Sequence, residues 1–319
     1  MDKNAKIYVA GHRGLAGSAI VRELLRQGYR NVVVRSHSEL DLEDLQEVRS
    51  FFQHEKPVVV FLAAAKVGGI HANNSYPADF LMRNLLIETN TFLAAHEACV
   101  ERLIFLGSSC IYPRDCPQPI KEEYLLTGPL ETTNRSYALA KIAGVEMCWA
   151  YNRQHSTRWL AAMPTNLYGP GDNYDLNSSH VLPALMRKMH EAKLASANEV
   201  VLWGTGTPRR EFLYVDDLAN ALVFLGGLDE KKFAALVDPT CCPLINVGLG
   251  YDLTIRELAE AISSVVGYSG TFLQDTSRPD GTMRKVMDVS RMKQLGWFAR
   301  TPLTEGLMTT YRAFLASGS

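Results

Sequence analysis

Tyr137 and Lys141 stand four residues apart in the run Tyr137-Ala138-Leu139-Ala140-Lys141. On a helix that spacing puts both side chains on one face, about one turn apart. A free phenol loses its proton only near pH ~10. A fixed ammonium beside it favours the phenolate, so the pair can trade protons near neutrality, which is what carbonyl reduction requires. Ser108, Ser109 and Cys110 lie upstream and His180 downstream. The thiol and the imidazole are two further proton carriers that a plain reductase does not need.

These groups need a frame, and the first half of the chain supplies one. Short apolar runs alternate with amphipathic stretches: strands are expected at 6–10, 31–35, 58–63, 102–107 and 159–164, and helices at 17–27, 41–54, 77–97 and 136–155. Such alternation predicts a parallel sheet covered on both faces, the α/β doubly wound, Rossmann-type class. The second half is less regular. Gly169-Pro170-Gly171-Asp172-Asn173 is a turn cluster, and helices are expected at 181–192, 216–225 and 303–315, with short strands at 200–203 and 211–214. Thr254-Ile255-Arg256-Glu257 is a capping box opening a helix to about Val266.

Gly11, His12, Arg13, Gly14, Leu15, Ala16 and Gly17 join the first strand to the first helix. Glycines there permit a tight turn and a close backbone approach to a pyrophosphate, and the helix N-terminus offers free N–H groups. The tip of the second strand sorts the cofactor. An acid there would hold ribose hydroxyls, whereas an Arg pairs with a 2′-phosphate. The chain has Arg35-Ser36-His37 with no acid before Glu39, and Arg13 can reach the same space, so NADP(H) is expected. The alternative for Arg35 is a solvated surface residue. Asp41 and Leu42 either touch the adenine or, for Asp41, only cap a helix.

The whole chain has 319 residues, 47% apolar and 21% charged, with a formal net charge of -1. That size suits two lobes, and the balance argues against nucleic acid or an anionic membrane as partner. No signal-peptide pattern and no membrane-length apolar run is visible, so a cytoplasmic protein is expected. The six cysteines show no zinc spacing, so no metal is expected and all six should be thiols.

The motifs taken together resemble the extended short-chain dehydrogenase/reductases. They are Ala10 to Gly17; Leu62-Ala63-Ala64-Ala65-Lys66-Val67-Gly68-Gly69; Ser108-Ser109-Cys110-Ile111-Tyr112-Pro113; Tyr137 with Lys141; and Pro164-Thr165-Asn166-Leu167-Tyr168-Gly169-Pro170. Asn177 to Val181, Trp203 to Phe212 and Pro279-Asp280-Gly281 narrow the likeness to the branch that epimerises and reduces GDP-4-keto-6-deoxymannose. That resemblance implies inversion at C3 and C5, then NADPH reduction at C4, giving GDP-L-fucose. Cys110 would be the base and His180 the acid of the inversions. Ser108 would hold the C4 oxygen, Tyr137 would protonate it, and Lys141 would keep Tyr137 poised and bind the nicotinamide ribose. The cofactor would also meet Leu106, Gly107, Ser108, Ser109, Pro164, Thr165, Asn166, Leu167 and His180.

By the same resemblance Lys188, Trp203, Arg210 and Asp280 contact the GDP-sugar. A solvated Lys and a core Trp are the plain alternatives for Lys188 and Trp203. The implied organisation is an NADP-binding domain at 1–165 with a returning segment near 215–247, and a smaller α/β substrate-binding lobe at 166–214 and 248–319. Pairing through the Tyr137 helix and the long helix before it would make a homodimer. One departure is His37, where the branch carries a second arginine, and weaker discrimination against NADH is expected. The rival readings are a GDP-colitose type enzyme inverting only C5 and a non-catalytic dinucleotide sensor.

Overall fold

A computed structural model describes residues 1–176, 178–277, 280 and 282–317, apart from the side chain of His71. Asn177, Pro279 and Gly281, named in the motifs above, lie outside the described residues. The chain runs β1 (Ile7–Ala10), α1 (Leu15–Arg26), β2 (Val32–Val33), α2 (Leu45–Glu55), β3 (Val59–Leu62), α3 (Ile70–Ser75), α4 (Pro77–Glu97), β4 (Arg102–Leu106), α5 (Arg135–His155) and β5 (Trp159–Pro164). It continues through β6 (Asn166–Tyr168), α6 (Val181–Leu194), β7 (Glu199–Trp203), β8 (Arg209–Arg210), β9 (Phe212–Tyr214), α7 (Val215–Gly227) and α8 (Glu230–Leu236). The last part holds β10 (Leu244–Val247), β11 (Leu253–Thr254), α9 (Ile255–Val266), β12 (Thr271–Asp275), β13 (Arg284–Lys285), α10 (Ser290–Leu295) and α11 (Leu303–Ser317).

Six strands make one parallel sheet in the order β10-β5-β4-β3-β1-β2. Successive residues of a strand face opposite sides. Tyr8 and Ala10 accordingly join Phe52, Phe92 and Val145 under α2, α4 and α5, while Ile7 and Val9 join Ile20, Leu24, Leu218 and Leu222 under α1 and α7. The chain leaves β1 sideways to β2 but crosses to the other side for β3, which puts the switch in strand order between β1 and β3, where doubly wound sheets place ligands. A separate apolar cluster joins Leu185 and Met189 of α6, Leu258 and Ile262 of α9 and Phe314 of α11. The capping box forms as expected: Thr254 accepts from Glu257 N, and the helix ends at Gly267 in the left-handed region.

Two local expectations are corrected. The second strand is only two residues long. The following helix starts at Leu45, capped by Asp44, whose carboxylate accepts from the N–H groups of Gln46 and Glu47. Asp41 is therefore not the cap. Its carboxylate accepts from Glu43 N, which holds residues 41–44 in a turn.

Candidate active site

The cofactor cradle is built by backbone contact. Gly11 has φ 83°, and a Cβ there would lie 2.7 Å from the backbone of Ala64, just past β3. A Cβ on Gly17 would lie 2.1 Å from the carbonyl oxygen of Gly11. Only glycine lets the loop fold this tightly onto its own helix and its neighbouring loop. Gly14 is the N-cap of α1 and offers no side chain to it, so the first-turn N–H groups of Leu15, Ala16 and Gly17 remain for an anion. These features fit a dinucleotide pyrophosphate.

Arg13 is exposed beside this loop, and His12 is partly covered. Arg35 is not a loose surface side chain. Its guanidinium pairs with Glu55 at 2.6 Å, donates to Val34 O at 2.8 Å and lies over the ring of Phe51. His37 is exposed, 3.6 Å from Asp41, while Leu42 is buried in the core beneath them.

The expected reaction groups gather at the C-terminal ends of β4 and β5. Gly144 lets α5 press against β4, for a Cβ there would meet the ring of Phe105 at 2.3 Å. That approach brings the Lys141 ammonium to the carbonyl of Leu106 at 3.1 Å and over the Tyr137 ring at 5.8 Å. Gly107 follows, with no room for a side chain against Met163. Ser108 begins a short 3-10 turn, Ser109–Ile111, and its hydroxyl accepts from Cys110 N at 3.4 Å. Cys110 is buried, and burial pushes its thiol pKa up, opposed by the charges of Lys285 and Lys141 and by a hydrogen bond with Ser108.

Tyr137 behaves differently from the expectation. Burial pushes its phenol well above the ordinary value, and the negative forms of Cys110 and Glu88 push the same way. The Lys141 ammonium nearby is paired with the Glu88 carboxylate at 3.2 Å. Burial therefore favours the neutral phenol.

His180 is the N-cap of α6, and its side chain makes no hydrogen bond among the described residues. It is exposed, although the protein packed around it lowers its pKa from the ordinary value by desolvation. The preceding loop is tied to the segment after β3, with Gly69 N donating to Ser178 O at 2.9 Å. At the end of β5, Pro164 is buried in the sheet and Leu167 lies on β6. Thr165 Oγ1 and Asn166 Nδ2 both donate to the carbonyl of Glu211.

Three of the four expected sugar-nucleotide residues are linked directly or through one turn. The Lys188 ammonium lies 4.9 Å from the ring centre of Trp203, which is exposed rather than core. Asp280 accepts from Thr205 N and Thr205 Oγ1, which closes the turn after Trp203. Arg210 completes the set: burial lowers its pKa and the charge of Asp280 opposes this. Arg209 faces the other way, held by Asp252 at 2.7 Å. Sequence reasoning missed Lys285, which pairs in register with Arg210 and whose half-buried ammonium feels Cys110, Cys116 and Glu131. It also missed Glu88 and the fully buried Glu211, which accepts from the N–H groups of Leu249, Gly250 and Met287. Glu88 carried one signal: it breaks the apolar pattern in the middle of a long helix.

The NAD dependent epimerase/dehydratase family model matches residues 7–232. The GDP-L-fucose synthase 1 of Arabidopsis thaliana is 57% identical over 314 residues, covering 98% of this chain and 94% of that protein. The GDP-L-fucose synthase of Escherichia coli (strain K12) is 51% identical over 310 residues, covering 97% and 96%. Among solved structures, the GDP-mannoheptose C4 reductase from Campylobacter jejuni with NADP bound has a TM-score of 0.88 at 38% identity, covering 99% of each chain.

Proposed function

The chain belongs to the NAD dependent epimerase/dehydratase family, and from that premise we propose that it converts GDP-4-keto-6-deoxy-D-mannose to GDP-L-fucose. The observation that carries the reading is Cys110 buried in the same cluster as Ser108, Tyr137 and Lys141, so that a base and a reducing acid serve one carbonyl.

The ketone at C4 acidifies the C–H bonds at C3 and C5. Ser108 donates to the C4 oxygen and stabilises the enolate. Cys110, whose thiolate Lys285 and Lys141 stabilise against the burial that raises its pKa, takes a proton from one face of the sugar. His180 returns a proton to the other face, and its exposure lets it be reprotonated from water. The cofactor, when bound, would supply the hydride for C4. Tyr137 then gives its proton to the C4 oxygen, which traps the inverted sugar. The loop from Gly11 to Gly17, Arg13, Arg35 and the segment from Pro164 to Leu167 hold the cofactor. Arg210 and Lys188 pair with the diphosphate, Trp203 offers a flat apolar face, and Asp280 holds the turn beneath them. Residues 1–165 with 215–247 form the cofactor domain, and 166–214 with 248–319 form the substrate lobe. The enzyme works as a cytoplasmic homodimer joined through α4 and α5. Exposed Met82, Leu86 and Leu139 on these two helices support that pairing.

Mixing the protein with NADPH and GDP-4-keto-6-deoxymannose should deplete the absorbance of the reduced nicotinamide. Unchanged absorbance would contradict the reading.

A further inference from the structure

The Lys141 ammonium and the Glu88 carboxylate lie 3.2 Å apart with side chains 2% and 1% exposed. The sugar chemistry does not call on Glu88. It projects from the middle of α4 into the contact between α4 and α5. The other close neighbours of the ammonium are the carbonyl of Leu106 and the ring of Phe105, neither of which carries a charge. An ammonium taken out of water without a carboxylate is driven toward its neutral form.

We propose that Glu88 is a positioning residue for Lys141, the buried counter-charge that keeps its ammonium charged and aligned with Tyr137. The inference rests on the reading of Tyr137 as the acid that closes the reduction. A Lys has three donors. Leu106 O takes one of them, and Glu88 holds the ammonium by charge at 3.2 Å without a hydrogen bond of its own, which leaves donors for the Tyr137 side, where a ribose hydroxyl would also come. The pair also shapes the phenol. Burial raises it most, and the charges of Cys110 and Glu88 push the same way. Burial raises the Glu88 carboxyl to about 7 even against Lys141. The titratable groups that feel this carboxylate are Lys141, Tyr137 and Cys148, all on α5, and Cys110 completes the set around Lys141. The packed face of β4 adds only Phe105 and a carbonyl.

The test uses Glu88→Gln, checked for folding by circular dichroism. The Lys141 Nζ resonance of 15N-labelled protein, assigned by its loss in Lys141→Met, should titrate at least about one pH unit lower in Glu88→Gln than in the parent. An unchanged titration overturns the proposal whatever the substrate proves to be, so it stands or falls apart from the reading of function. With keto sugar and NADPH, kcat for reduction should fall about tenfold to a hundredfold, within the ~10²–10⁴-fold that a positioned acid contributes. KM for the sugar and proton exchange at its carbons should be retained.

The double variant Glu88→Gln/Lys141→Met should reduce no more slowly than Lys141→Met alone. Fully additive losses would make Glu88 a packing residue only. If the Gln variant does not fold, Glu88→Asp decides. It keeps the charge, so Lys141 should titrate close to the parent value, and a drop of a full pH unit contradicts the proposal. A parent that oxidises no NADPH refutes the function, while the Lys141 titration still decides the role of Glu88.

Discussion

At the residue scale, the spacing of Tyr137 and Lys141 was enough to read a reduction device, because helical geometry alone puts them together. The direction of the phenol's shift was not legible. It depends on burial and on Glu88, a residue more than 45 positions upstream that only the packing of α4 on α5 brings near. Lys285 was hidden for the same reason, since its two-residue strand leaves no periodic trace. The division of labour predicts opposite failures. Tyr137→Phe should slow NADPH oxidation by ~10²–10⁴-fold yet leave deuterium exchange at C3 and C5 intact. Cys110→Ser should stall that exchange while some uninverted ketone is still reduced. Full exchange in Cys110→Ser, followed by proton NMR in heavy water, would contradict the role given to Cys110.

At the element scale, α4 and β5 fall where the sequence puts them, because each is a long apolar pattern with clear punctuation. The short helices α3, α8 and α10 were missed, as each is under two full turns or close to it, too short for a 3.6-residue period to declare itself. The start of α2 was misplaced because Asp41 and Asp44 are equally good caps by type, and only the turn at Glu43 selects Asp44. The glycine loop makes the strongest element-level prediction. In Gly17→Ala the new methyl must displace the carbonyl of Gly11, an overpacking cost of ~1–3 kcal/mol. If that cost falls on the cofactor-bound loop, NADPH binding measured by nucleotide fluorescence should weaken by about tenfold. An unchanged Kd would show that the loop does not hold the pyrophosphate.

At the scale of the whole molecule, the doubly wound sheet was legible from alternation, whereas the charges it buries were not. Asp172, in the loop after β6, has a carboxyl raised to about 7 by burial, with Oδ2 lacking a partner among the described residues. Glu211 is raised to about 6. A carboxyl whose folded pKa is raised binds more protons folded than unfolded. It costs no stability below its unfolded value of 3.8 and costs progressively more as pH rises to about 7. Asp172→Asn should therefore match the parent's melting temperature near pH 4 and exceed it at pH 8, within an upper bound of about 4 kcal/mol at about 1.4 kcal/mol per pKa unit. An equal difference at both pH values would contradict that burial.

The central claim is that one pocket inverts two carbons and then reduces a third. Product formed from GDP-4-keto-6-deoxymannose and NADPH in heavy water, read by proton NMR, tests it most directly. Deuterium at both C3 and C5, with the transferred hydride of NADPH at C4, is the predicted result. Label at C5 alone, or reduction without label, would contradict it.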